Sequence, residues 1–135
     1  MLRVVFDTSV YISAFVVPGS KSEEAFLLAS KGRFYLFTSP AIVAETANKL
    51  KDKFGASDQE VRKTIGLIAK AAEAVKPKEI PNILSDEPDN RVLECAAEAQ
   101  ANLIVSGDKH LLKLKKYEET GIIRVADLLY TLKGK

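Results

Sequence analysis

LRVVFDTSV, residues 2–10, runs through a short, mostly apolar stretch straight into an acid and two hydroxyls. A continuous, β-branched run of this length reads as a strand buried on both faces, Leu2 to Phe6. Asp7 stands where that strand ends. Turn or cap chemistry is one explanation, because Asp, Thr and Ser side chains bond nearby backbone amides. One corner of a charged site at the mouth of a sheet is the other. The residue alone does not decide, so the rest of the chain must supply further corners or fail to.

Working outward, Ser9 to Val17 reads as a short helix stopped by Pro18-Gly19. Ser20 and Glu23 have the spacing of a capping box opening a helix that Gly32 closes. FYLF (34–37) is a second strand. Ser39 then caps a helix with Pro40 in its first position, ending at Phe54 before Gly55. Ser57 and Glu60 form another capping box, with Val61, Ile65, Ile68 and Ala72 at helical spacing. Val75 and Lys76 read as a short third strand before the Pro-rich, acidic loop KPKEIPNILSDEPDN (76–90). A helix from Pro88 or Asp89 to Ala101 follows. NLIVS (102–106) is a strand, KHLLKL (109–114) a short helix, IIRV (122–125) the last strand and ADLLYTL (126–132) a closing helix. Short strands apolar on both faces, separated by helices, imply a parallel sheet covered on either side, an α/β fold with three α/β/α layers.

Length and composition agree with one compact domain over residues 1–135: 47% of the residues are hydrophobic and 28% charged. A net charge of +2 does not by itself mark a polyanion binder. Cys95 is the one cysteine, so no intrachain disulfide forms and the chain reads as intracellular, with a cytoplasmic location expected. Asp7 interrupts the first apolar run too early for a signal peptide, and no stretch approaches the ~18 apolar residues of a membrane helix. No membrane partner is expected.

In open parallel sheets ligands bind beyond the carboxyl ends of the strands, where strand order reverses. Three acids fall there by local sequence: Asp7 after the first strand, Asp108 after NLIVS and Gly107, and Asp89 in the first turn of the helix leading into that strand. Gly107 is read as supplying the positive φ of a tight turn. Glu45, two turns into its helix, reaches the same edge if that helix leans across. Each acid also has an ordinary explanation. Asp7 and Asp108 suit turns, Asp89 suits a helix N-terminus, and Glu45 pairs with Lys49 four residues on. Asp86 and Glu87 read as solvated loop charge. Together, however, four carboxylates on one edge repel one another and raise each other's pKa. A hard cation, Mg²⁺ or Mn²⁺, offsets that cost with oxygen ligands. With one Cys and one His, the chain has no zinc spacing. An acid-only site suits phosphoryl chemistry on a polyanion.

These residues resemble the PIN-domain ribonucleases over nearly the whole chain. VVFDTSVYISAF is similar to that family's opening motif, with Asp7 as the first metal-binding acid and Thr8 or Ser9 as supporting hydroxyls. SPAIVAETANKL resembles the second motif and carries Glu45. DEPDNRVLECAAEAQANLIVSGDKHLL resembles the third and fourth together, giving Asp89 and Asp108, with Ser106 where the family has Thr or Ser. Asp86 competes with Asp89 for the ligand role, and the family pattern points to Asp89. The resemblance implies a five-stranded parallel sheet flanked by helices and Mg²⁺- or Mn²⁺-dependent cleavage of single-stranded RNA. It also implies a homodimer and, as for many small members, a VapC-like toxin held by a cognate antitoxin.

Lys109 and His110 adjoin the proposed site as candidate RNA contacts, with a solvated helix face as the alternative reading. Lys115 and Lys116 are read as solvated. Tyr11, Phe15 and Cys95 are read as core, with base stacking as the alternative for the two aromatics. Two other functions compete. A haloacid-dehalogenase-like phosphatase also opens with an Asp after its first strand, but wants a second Asp two residues on, where this chain has Ser9. A catalytically silent RNA-binding or protein-interaction module is the other, and it has no use for four ionised acids together.

Overall fold

The computed structural model describes residues 1–78 and 87–134. The Pro-rich loop therefore falls partly, and Asp86 wholly, outside the described residues. In chain order the elements are β1 (Arg3–Phe6), α1 (Thr8–Val16), α2 (Lys21–Ser30), β2 (Tyr35–Thr38), α3 (Pro40–Phe54), α4 (Asp58–Ala71) and β3 (Ala72–Ala74). There follow α5 (Glu87–Ala99), β4 (Leu103–Val105), α6 (Lys109–Leu114), β5 (Lys116–Tyr117), β6 (Thr120–Ile123) and α7 (Val125–Lys133).

The sheet runs β3-β2-β1-β4-β6-β5, with every pairing parallel except β5 with β6. Helices flank it. From β1 the chain first builds outward through β2 to β3, then crosses back to lay β4 on the other side of β1. The order thus reverses between β1 and β4, whose ends lie in register at Phe6 and Val105. Val4, Val5, Phe6, Ile104 and Val105 are buried, so these two strands form the middle of the core. Phe6, Tyr11, Phe26 and Phe34 continue it through edge-on and tilted ring contacts.

Helix ends follow local chemistry closely. Ser39 accepts from the Ile42 amide with Pro40 in the first position, and Gly55 ends α3 at φ 65°. Ser57 and Glu60 close a reciprocal capping box. At Ser20 the box is half built: Ser20 Oγ accepts from Glu23 N, but the Glu23 carboxylate accepts from Gly19 N.

Several boundaries differ from the sequence reading, four of them with a clear local cause. The sheet has six strands rather than five, because the two-residue β5 folds back on β6. Its loop carries Glu118 at φ 53°, without the Asn-Gly pair that announces such hairpins. That pairing also starts the last strand at Thr120 rather than Ile122. The third strand is Ala72–Ala74, not Val75–Lys76, since α4 passes into it with no intervening loop. Finally, α5 stops at Ala99, where Gln100 turns left-handed at φ 51° with no glycine to signal it.

Candidate active site

Asp7 caps a helix and also lines a cleft at the mouth of the sheet. Its Oδ1 accepts from Val10 N at 3.2 Å and caps α1, which begins at Thr8, one residue earlier than expected. The same carboxylate is buried at the reversal point of the sheet. Its Oδ1 also accepts from Ser9 Oγ, and its Oδ2 accepts from Ser106 Oγ. Both hydroxyls reach onward to the turn after β4. Ser9 Oγ accepts from Gly107 N at 3.0 Å, and Ser106 Oγ accepts from Asp108 N at 2.8 Å. Two serines therefore tie the end of β1 to the end of β4.

Burial pushes the Asp7 carboxyl above its usual value, the bonds from Ser106, Ser9 and the Val10 amide pull it back, and the nearby Asp108 charge raises it again. Asp108 caps α6, its Oδ1 accepting from His110 N at 2.8 Å and Leu111 N at 3.1 Å. Gly107 differs from expectation. It is not among the glycines of positive φ (Gly19, Gly32 and Gly55), and a Cβ placed on it would stand 3.4 Å from Ser9 Oγ.

One cleft of about 380 Å³ gathers Asp7, Thr8, Ser9, Glu45, Asp89 and Asp108, together with Lys49, Pro88 and Val92. Glu45 thus reaches the same edge as the other three acids. Ser106 lies buried behind Asp7 rather than in the cleft wall. Lys109 and His110 are exposed at the start of α6 and do not line the cleft. Tyr11 is fully buried, and the partly buried Phe15 packs edge-on against Phe26 at 5.0 Å, so both join the core. Cys95 is buried, and desolvation lifts its thiol to about 12, leaving it inert at neutral pH.

Lys49 is the cleft residue that sequence reasoning passed over. Its Nζ stands 3.4 Å from Glu45 Oε1. The four-residue spacing was visible, but as a surface pair; only the position of α3 turns it into a cation inside an acidic cleft.

The donors fit a hard divalent ion: the four acids and two hydroxyls supply oxygen, and no Cys or His lines the cleft. The side chains are not closed onto a single point. Among the described residues, no three of His, Cys, Asp and Glu stand close enough together to hold a metal ion. Lys49 engages Glu45, and the α6 amides engage Asp108.

Ser106 offers a direct test of the bridge. Ser106→Ala leaves a buried Asp7 oxygen short of a donor, and should cost about 1–3 kcal/mol in chemical denaturation. Ser106→Thr should cost much less. Equal stability of all three proteins would show that the bridge contributes nothing.

A mostly parallel α/β sheet with acids gathered at its reversal point is the build of the PIN domain. A family model described as "PIN domain" matches residues 3–110, and the chain belongs to that family, whose members are typically metal-dependent nucleases. An uncharacterized protein of Methanocaldococcus jannaschii, MJ1680, is 28% identical over 118 residues, covering 84% of this chain and 76% of that protein. The crystal structure of PAE2754 from Pyrobaculum aerophilum is similar in fold, with a TM-score of 0.67 at 18% identity over 99% of this chain and 91% of that one. No helix among the described residues is long and apolar enough to cross a membrane.

Proposed function

We propose that the protein is a Mg²⁺- or Mn²⁺-dependent endoribonuclease that hydrolyses phosphodiester bonds of single-stranded RNA. The observation that carries this reading is the meeting of Asp7, Glu45, Asp89 and Asp108 in one cleft of a PIN domain. These four acids would hold the cation. When bound, it supplies charge neutralisation at the phosphate and activation of the attacking water. The chain's own residues do the rest. Ser9, Ser106 and the Val10 amide hold the Asp7 carboxylate in one orientation. Lys49 offsets Glu45 in the free protein and would meet substrate phosphate instead. Lys109 and His110, outside the cleft, would meet the RNA backbone where it leaves the site. In the cell the reading extends to a cytoplasmic, homodimeric toxin restrained by a cognate antitoxin.

A mixed set of single-stranded RNAs should be cut with Mn²⁺ present and left intact in excess chelator. In the same preparation Mn²⁺ at a hundred times its Kd should stabilise the fold by about 2.7 kcal/mol, because it binds the folded state. Hydrolysis that continues undiminished in chelator would sink the metal mechanism. RNA binding without hydrolysis under any divalent ion would make the protein a silent module.

A further inference from the structure

Three hollows adjoin along the seam between α3 and α5, and they share walls. The acidic cleft shares Thr8, Glu45 and Pro88 with a second hollow of about 290 Å³, which Ala41, Ile42 and Arg91 help to enclose. Ala41 and Arg91 in turn belong to a third, of about 270 Å³, bounded by Pro40, Lys76, Pro77 and Glu94. The hollows thus adjoin in a row from the carboxylates to Lys76, a groove in three segments. The two outer segments approach the size of a small-ligand site, and Pro40, Ala41, Ile42 and Pro77 give their walls apolar surface beside a few polar groups.

Arg91 stands where the two outer hollows meet, and its bonding is lopsided. Nη2 donates to Glu94 Oε2 at 2.8 Å, while Nε lies 2.7 Å from Glu94 Oε1 as a charge contact without hydrogen-bond geometry. The Glu94 side chain is only 5% exposed, so this partner is set into the protein. Nη1 instead meets Glu87 Oε1 at 3.3 Å, and Glu87 is 77% exposed. An exposed pair four residues apart on a helix is worth only tenths of a kcal/mol. Glu94 thus orients the guanidinium, while the donor on the Glu87 side is held by a partner that is easily displaced.

We infer that this groove seats the RNA strand on one side of the scissile phosphate, with Arg91 Nη1 taking a backbone phosphate in place of Glu87. Bases lie against Pro40, Ala41 and Pro77, and Lys76 meets the backbone at the far end. The inference rests on the nuclease reading above. Walls shared with the acidic cleft and a guanidinium oriented by Glu94 favour a nucleic-acid strand over a peptide.

The probe is a fluorescein-labelled single-stranded RNA of about ten nucleotides, read by anisotropy with Ca²⁺ present. Two variants leave the fold in place. Ala41→Glu puts an acid in the second position of α3, where the helix dipole favours it. Arg91→Gln combined with Glu94→Gln removes both partners at once, so no buried charge is left alone and net charge is unchanged. Each should bind RNA about tenfold more weakly, and the double variant should lose about 0.7 from the slope of log K against log salt, one phosphate contact given up. Glu87→Gln should bind more tightly than wild type.

Wild-type affinity in both groove variants overturns the groove while leaving the nuclease reading intact. A wild-type protein that neither binds nor cuts RNA overturns the nuclease reading, and the groove with it. Variants that keep RNA affinity but lose a bound protein partner would make the groove a peptide seat and overturn the RNA assignment.

Discussion

Asp7→Asn is expected to lower RNA cleavage in Mn²⁺ by more than about a hundredfold, because a neutral amide is a poor ligand for a hard cation. The same change should stabilise the metal-free fold at neutral pH by about 1 kcal/mol, the mark of a functional group held at a cost. The sign follows from burial, which raises the Asp7 pKa above 3.8. The folded state then holds this proton more readily than the unfolded state, so stability falls as pH rises through that raised value. Above it, wild type carries the full cost and the Asn variant does not. Below 3.8 the difference between the two should vanish. Thermal melts of both proteins across pH, with and without Mn²⁺, read all of this together. If Asp7→Asn lowers the metal-free melting temperature and responds to Mn²⁺ as wild type does, Asp7 is a cap for α1 and nothing more.

Asp89→Asn should also cost about a hundredfold in rate, whereas Asp86→Asn should stay within a few-fold of wild type. Asp89 is buried in the first turn of α5 and lines the cleft with Asp7, Glu45 and Asp108. The comparison is made under saturating Mn²⁺ on one RNA substrate. A severe Asp86 variant beside a mild Asp89 variant would transfer the ligand role.

Much of the fold was legible because it depends on neighbours in the chain. Ser39-Pro40, Ser57 with Glu60, and Gly55 set helix ends through bonds and dihedrals spanning a few residues, and those ends came out where the sequence put them. The apolar runs of β1, β2 and β4 likewise declare strands buried on both faces. Asp7 and Asp108 were placed at strand ends for the same local reason. Where a boundary was missed, the local signal was weak: Gln100 and Glu118 adopt positive φ without being glycine, and Ala72 serves both helix and strand.

Only the tertiary structure decided what those acids meet. The laying of β4 beside β1 brings Ser106 onto Asp7 across 99 residues of sequence, a contact that no local pattern specifies. The position of α3 turns Glu45 and Lys49 from a surface pair into part of an acidic cleft. The packing of α5 beside α3 places Arg91 over a groove that adjoins that cleft. Caps and strand patterns are fixed by short-range bonding, and so the sequence determined them. Strand order and helix position are fixed by how whole apolar faces bury one another, and that is settled only when the chain has packed.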